Sequence, residues 1–120
     1  MSKILVCEDN PIALKTIEFS LLKAGYEVLQ ACDGEQAMSL LNSEQVDLVI
    51  TDINMPFTKG LELVRYIKTR LPNNIPVIII SGINLQETKD HARELGASGY
   101  LTKPFDPRQL LEMVQSEIQS

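Results

Sequence analysis

The sequence predicts an α/β protein in which helices cover both faces of a doubly wound, five-stranded parallel sheet, giving a three-layer sandwich. Five short apolar runs, residues 4–6, 28–29, 48–50, 77–80 and 100–101, alternate with longer stretches of helical periodicity. The third and fourth runs are continuous, as expected for strands that are buried on both faces. Because right-handed crossovers leave few topologies, we expect the strand order 2-1-3-4-5.

Capping signals mark the starts of the predicted helices. Asn10-Pro11 and Asp106-Pro107 each combine a capping side chain with proline at the first helical position, which predicts the starts of the first and fifth helices. Asp33-Gly34 precedes the second predicted helix, and Gly60 precedes the third. The fourth helix is predicted at about residues 85–95.

Each of four predicted helices carries an apolar stripe, and three helices have a clear stop signal. Gly25 and Gly96 end the first and fourth helices, with Gly25 expected in the left-handed conformation, and Pro72 prevents continuation of the third. The stripes contain Leu14, Ile17, Leu21 and Ala24 in the first helix, Ala37, Leu40 and Leu41 in the second, Leu63, Val64, Ile67 and Leu71 in the third, and Leu110, Leu111, Val114 and Ile118 in the fifth.

Length and charge restrict the classes of protein that the chain can belong to. A chain of 120 residues without repeats or linkers predicts one domain over residues 1–120. A net charge of -5 disfavours direct nucleic-acid binding and attachment to anionic membranes. The first apolar run is too short for a signal peptide or a membrane span, so we expect a cytoplasmic protein. Cys7 and Cys32 are expected to be reduced and buried.

Polar side chains follow four of the five predicted strands. Glu8-Asp9 follows the first strand, Thr51-Asp52 ends the third, Ser81 ends the fourth, and Lys103 follows the fifth. In the predicted topology, the crevice lies at the carboxyl ends of the first and third strands, where the strand order reverses. We therefore expect the carboxylates of Glu8, Asp9 and Asp52 to converge there.

The chemistry of this set of residues points to phosphoryl transfer. Three carboxylates about 5 Å apart repel by roughly 3 kcal/mol per pair at an effective dielectric of about 20, so protonation or a bound cation is expected. An all-oxygen site with few protein ligands suits Mg²⁺ better than zinc. Lys103 and Ser81 add an ammonium and a hydroxyl that can stabilise an anion. Because no glycine-rich phosphate loop is present, the phosphoryl group must be held covalently or delivered by a partner, and Asp52 is the central candidate to accept it.

Taken together, these motifs resemble the receiver domains of two-component response regulators over nearly the whole chain. The matching segments are Glu8-Asp9, Asp52-Ile53-Asn54-Met55-Pro56 with Gly60, Ser81-Gly82, and Lys103-Pro104-Phe105. The resemblance implies a flavodoxin-like fold and a signalling switch that catalyses only its own phosphorylation and slow dephosphorylation. It also implies that Asp52 receives its phosphoryl group from a sensor histidine kinase or a histidine phosphotransfer protein.

The resemblance assigns further roles to individual residues. Mg²⁺, for which Mn²⁺ can substitute, would be held by Asp9, Asp52 and the backbone carbonyl of Asn54, with Glu8 acting mainly through water. Ser81 and Lys103 would contact the phosphoryl group, and the Lys103–Pro104 bond would be cis. Glu8 and Ser81 stand where the family more commonly has Asp and Thr.

The resemblance also implies how phosphorylation would be transmitted. Tyr100 matches the family's aromatic switch position, where the hydroxyl at Ser81 moves toward the phosphoryl group and the ring moves inward behind it. The affected surface would consist of the fourth helix, the fifth strand and the fifth helix. That surface would control an output partner or domain that the sequence does not identify, and a phosphorylation-dependent homodimer remains open.

Three alternative functions are less well supported by the residues. A phosphatase with an aspartate nucleophile would also use Asp, Mg²⁺ and Lys, but its usual Asp-x-Asp motif and cap insertion are missing from the sequence. A flavin-binding module is disfavoured because Glu8-Asp9 would repel an FMN phosphate. A degenerate receiver that serves only for docking is disfavoured because the expected site residues are present. His91 is expected to be a surface residue of the fourth helix, not a phosphoryl carrier.

Overall fold

The computed structural model describes residues 2–53, 60–71 and 74–119, and in them five strands alternate with five helices. The strands are β1 (Lys3–Cys7), β2 (Glu27–Ala31), β3 (Leu48–Asp52), β4 (Val77–Ser81) and β5 (Gly99–Thr102). The helices are α1 (Pro11–Lys23), α2 (Gly34–Ser43), α3 (Gly60–Arg70), α4 (Gln86–Leu95) and α5 (Pro107–Gln119). Every predicted run and every predicted helix has a counterpart.

The strands form one parallel sheet in the order β2-β1-β3-β4-β5, which confirms the predicted topology. Val6 of β1 lies opposite Ile50 of β3, and Ile50 lies opposite Ile78 of β4. All five residues of β3 and all five of β4 are buried, as their continuous apolar runs predicted. The strand order reverses between β1 and β3, so the carboxyl ends of these two strands border the crevice.

Two core clusters, one on each face of the sheet, give the molecule its three layers. On one face, Ile4, Ile50 and Ile78 pack with residues of α1 and α5. On the other face, Leu5 and Val49 pack with residues of α2, α3 and α4. Each fully buried side chain of this kind stabilises the fold by about 1.5–3 kcal/mol. Among the described helices, none is both long and apolar enough to cross a bilayer.

The helix ends follow the local chemistry of the sequence. The Asn10 side chain accepts hydrogen bonds from the backbone N–H groups of Ile12 and Ala13, at 2.9 and 3.1 Å, and so caps α1. Gly25, with φ of 96°, adopts the predicted left-handed conformation just beyond α1. Helix α4 begins one residue later than predicted because Leu85 occupies the extended N-cap position.

Two predictions about individual side chains were wrong. Ala24 was assigned to the core stripe of α1, but the helix ends at Lys23 and the cap residue Ala24 is exposed. Cys32 was expected in the core, but it is exposed because it follows the edge strand β2 at the start of a surface loop. Cys7 is buried as predicted, and burial raises the pKa of its thiol to about 12. His91 is exposed, as predicted, and Pro72 lies outside the described residues.

Candidate functional site

The fold brings three carboxylates together at the carboxyl end of the sheet. Glu8 and Asp9 directly follow β1, and Asp52 is the last residue of the neighbouring strand β3. One carboxylate oxygen from each residue lies within 4.8 Å of the others. The parallel arrangement causes this convergence, because residues that end adjacent parallel strands meet at the same edge.

Lys103 joins two of these carboxylates. Its ammonium nitrogen lies 2.6 Å from Oε1 of Glu8 and 2.7 Å from Oδ2 of Asp52. The backbone N–H of Lys103 donates a 2.7 Å hydrogen bond to the carbonyl oxygen of Ser81, which fixes this residue just beyond the β4–β5 pair. The following Lys103–Pro104 peptide bond is cis.

The three acids differ in their exposure to water. Glu8 is only 1% exposed and Asp52 only 8%, whereas Asp9 is exposed. The second carboxylate oxygen of Glu8, Oε2, is buried without a hydrogen-bond partner among the described residues. Burial raises the pKa of Glu8, the hydrogen bond from Lys103 opposes this rise, and the charge of Asp52 adds to it. The site therefore holds more negative charge than Lys103 alone can balance.

For Lys103, unlike Glu8, the hydrogen bonds together have a larger effect on the pKa than burial. Burial alone would lower the pKa of the ammonium group. The hydrogen bonds to Asp52 and Glu8 outweigh burial and raise the pKa above its ordinary value. Lys103 is therefore a permanent cation at neutral pH.

The donor set of this cluster suits a small, hard divalent cation. Carboxylate oxygens are the ligands that Mg²⁺ prefers, and one or two protein carboxylates with several waters are its usual environment. The unpartnered Oε2 of Glu8 and the exposed carboxylate of Asp9 provide oxygens that Lys103 does not occupy. Asn54, whose backbone carbonyl was expected to complete the site, lies outside the described residues.

A second set of contacts links Ser81 to Tyr100. The buried Ser81 hydroxyl oxygen accepts a 3.0 Å hydrogen bond from the backbone N–H of Ile83. The Tyr100 hydroxyl donates a 2.8 Å hydrogen bond to the carbonyl oxygen of the same residue. The loop between β4 and α4 is thus held at Ile83 from both sides, by one residue from β4 and one from β5.

Gly60 contributes to the site in a way that the sequence analysis did not foresee. Its backbone N–H donates a 2.7 Å hydrogen bond to the carbonyl oxygen of Ile53. A Cβ atom on Gly60 would collide with the backbone carbonyl group of Asp52. The start of α3 can therefore lie directly against the end of β3 only because residue 60 has no side chain, and a glycine at a helix start is the one signal of this.

Comparisons with known proteins agree with this geometry. The family model for the response regulator receiver domain matches residues 4–115. The response regulator GtcR of Aneurinibacillus migulanus is 36% identical over an alignment of 121 positions, which covers 98% of this chain and 48% of that protein. The chain thus spans about half the length of this curated relative.

Solved structures with the same architecture include two that cover nearly the whole chain. The receiver domain of the Francisella response regulator 1452 is 29% identical with a TM-score of 0.94, covering 99% of this chain and 98% of that one. The chemotaxis response regulator CheY4 of Vibrio cholerae is 31% identical with a TM-score of 0.91, covering 98% of both chains. This chain belongs to the response regulator receiver domain family.

Proposed function

We propose that this receiver domain is a phosphorylation-dependent switch in which Asp52 accepts a phosphoryl group. The observation that carries the proposal is the ammonium of Lys103, which lies 2.6 Å from Glu8 and 2.7 Å from Asp52 beside the third carboxylate, Asp9. A buried carboxylate next to a fixed cation is suited to receive an anionic group, because the cation offsets the added charge.

The metal would be Mg²⁺, with Mn²⁺ able to substitute. Asp9 and Asp52 would hold it, with Glu8 acting mainly through water and Asn54 contributing its backbone carbonyl. When bound, the ion would neutralise charge on the transferring phosphoryl oxygens. The excess negative charge at this end of the sheet supports the assignment, since Lys103 is already shared between two acids.

The transfer itself requires one nucleophile and several positioned charges. A carboxylate oxygen of Asp52 would attack the phosphorus of a phosphohistidine, forming an oxygen–phosphorus bond. The phosphorus–nitrogen bond of the donor would break, and its electron pair would stay on the imidazole. Lys103 would remain charged and contact the phosphoryl oxygens. The Ser81 hydroxyl now accepts a hydrogen bond, which leaves its own hydrogen available to donate to the new anion.

The donor would be a sensor histidine kinase or a histidine phosphotransfer protein. An apolar groove of about 410 Å³, formed mainly by α1, the start of α5 and the segment before it, reaches Lys103 itself. Pro104 and Phe105 line the groove beside Lys103, and Ile12 near the start of α1 is 78% exposed. This continuity with the site supports a protein donor that covers apolar surface while it presents its phosphohistidine.

The switch would use Ser81 and Tyr100. If the Ser81 hydroxyl turns toward the phosphoryl group, the N–H of Ile83 loses its 3.0 Å partner and the loop must adjust. The Tyr100 ring would then move with the loop, because its hydroxyl is bonded to the same residue. This would change the surface of α4, β5 and α5, which we propose contacts an output partner or domain, or a second phosphorylated copy. Two free cysteines, one of them exposed, are consistent with the cytoplasm as the compartment.

Beryllofluoride, which imitates an aspartyl phosphate, tests the proposal without a cognate kinase. With Mg²⁺, it should raise the thermal stability of the wild type and shift resonances around Ser81 and Tyr100. Asp52→Asn should abolish both responses. Asp47→Asn is the matched control, because Asp47 is an exposed acid at the other end of the sheet, and this variant should respond like the wild type. An unchanged response of Asp52→Asn would refute the role of Asp52.

Turnover measurements separate the switch from a phosphatase on the same fold. The switch should show no turnover on free phosphomonoesters. A sustained kcat of about 1 s⁻¹ or more on such substrates would favour the enzyme instead.

A further inference from the structure

Lys89 of α4 places its ammonium over the ring of Tyr100. The nitrogen lies 5.9 Å from the centroid of the ring, within the distance at which a cation is attracted to an aromatic face. No salt bridge joins Lys89 to another residue in the described part of the chain, although its neighbour Asp90 lies 3.9 Å from Arg93. The Tyr100 ring is thus the contact to which the charge of Lys89 is directed.

The Tyr100 ring is not fixed by packing alone. It is half-buried, and a cavity of about 190 Å³ lies beside it, lined by Lys89, Ala92, Ala97 and Gly99 among others. The ring packs against the core cluster on the α4 face of the sheet. Two polar contacts add to this packing: the hydroxyl bond to Ile83 and the ammonium of Lys89.

We infer that Lys89 is a positioning residue, whose charge holds Tyr100 in the position where its hydroxyl bonds to Ile83 and thereby influences the Ser81 hydroxyl. Three contacts in series connect the two ends: the Lys89 ammonium contacts the Tyr100 ring, the Tyr100 hydroxyl bonds to the Ile83 carbonyl, and the Ile83 N–H bonds to Ser81. Only the consequence for phosphorylation rests on the proposed function, since the ring contact exists in the unmodified protein.

This arrangement couples the charge on the surface of α4 to the phosphoryl-accepting site. A change that removes the charge of Lys89 would loosen Tyr100 and alter the partner of the Ser81 hydroxyl. Coupling between two sites is reciprocal, so a phosphoryl analogue at Asp52 should also change the surroundings of Lys89.

Two substitutions separate the charge of Lys89 from its aliphatic chain. Lys89→Met keeps much of the aliphatic chain and removes the charge, whereas Lys89→Arg keeps the charge. Carbon-13 labelling of tyrosine reports ring positions directly, since the chain has 3 tyrosines and Tyr100→Phe identifies the relevant signal. Lys89→Met should reduce the ratio of bonded to unbonded Tyr100 about two- to fivefold, the range expected for a partly exposed cation over a ring. Lys89→Arg should preserve the ratio, and so should the exposed control Lys15→Met.

A Tyr100 signal unchanged by Lys89→Met would overturn the inference, and so would equal effects of Lys89→Met and Lys89→Arg. In the wild type, beryllofluoride with Mg²⁺ should shift the side-chain resonances of Lys89, and Tyr100→Leu should remove that shift. If beryllofluoride still shifts the Lys89 resonances in Tyr100→Leu, the coupling does not pass through the Tyr100 ring and the inference is contradicted. If Tyr100 responds to Lys89→Met while beryllofluoride leaves the wild type unchanged, the ring contact stands and the proposed function fails.

Discussion

Near the amino end of the sheet, one partly exposed lysine pairs with a single exposed acid, whereas at the carboxyl end one lysine is shared between two buried acids. Near the amino end, the Lys3 ammonium lies 3.1 Å from Glu44, and its backbone N–H donates a 2.8 Å bond to Asp47. At the carboxyl end, the Lys103 ammonium contacts both Glu8 and Asp52, and one oxygen of Glu8 is buried without a partner in the part of the chain that the structure describes.

The difference lies at the end of the sheet where we propose that a cation binds. Near the amino end, the Lys3–Glu44 pair contributes little stability because water screens it. The carboxyl end is held in an unfavourable state by the fold, with acidic groups close together and partly out of water. The repulsion between these acids lowers the stability of the fold, and a bound cation would reduce it.

Replacing Lys103 and Lys3 in turn should give the largest difference between the two ends of the sheet. Lys103→Met leaves Glu8 and Asp52 buried without their cation, so we expect a loss of about 3 kcal/mol in the free energy of unfolding. Lys3→Met removes a partly exposed pair and should lower the free energy of unfolding by less than about 1 kcal/mol. Urea denaturation of both variants in the presence of a chelator measures the two losses. Equal losses would show that the two ends do not differ as described.

Gly60→Ala tests how tightly the carboxyl end is assembled. The new Cβ would collide with the Asp52 backbone carbonyl, which cannot move without displacing the end of β3. We expect a loss of about 2 kcal/mol in stability, together with a weaker beryllofluoride response. Gly82→Ala is the matched control, since a Cβ there meets nothing within 4 Å, and it should change stability by less than about 0.5 kcal/mol. A neutral Gly60→Ala would contradict the close approach.

Glu8→Gln should stabilise the protein at neutral pH when no divalent cation is present. Burial raises the pKa of Glu8, so its ionised form is disfavoured in the folded state, and removing the charge should raise the free energy of unfolding. The gain should be complete above the folded pKa of Glu8 and vanish below its unfolded pKa of about 4.3. Thermal denaturation of both proteins across this pH range measures the effect. A stability difference between Glu8→Gln and the wild type that grows as the pH falls would contradict this prediction.

The sequence predicted the architecture well because its periodicity is strong where burial is complete. The continuous run at residues 77–80 favoured a strand buried on both faces, and the topology then placed Glu8, Asp9 and Asp52 at one edge. The errors occurred at the ends of elements. Whether the side chains of Cys32 and Ala24 are buried depends on where a strand or helix ends, and periodicity does not define that position.

Other features of the site depend on side-chain reach, which residue types alone do not specify. The unpartnered oxygen of Glu8 results from Lys103 approaching only one side of its carboxylate. The ammonium of Lys89 reaches the Tyr100 ring from a different element, through a flexible side chain with many alternatives. The role of Asn54 in metal binding stays a prediction.

The central claim is that the carboxyl end of the sheet binds a divalent cation and directs a phosphoryl group to Asp52. The most direct measurement is peptide mass spectrometry after incubation with a small phosphoryl donor, such as acetyl phosphate, with Mg²⁺ or with a chelator. We expect one phosphoryl group on Asp52 with Mg²⁺, and none with the chelator or in Asp52→Asn. A phosphoryl group on another residue, or equal labelling of Asp52 without a divalent cation, would contradict the account.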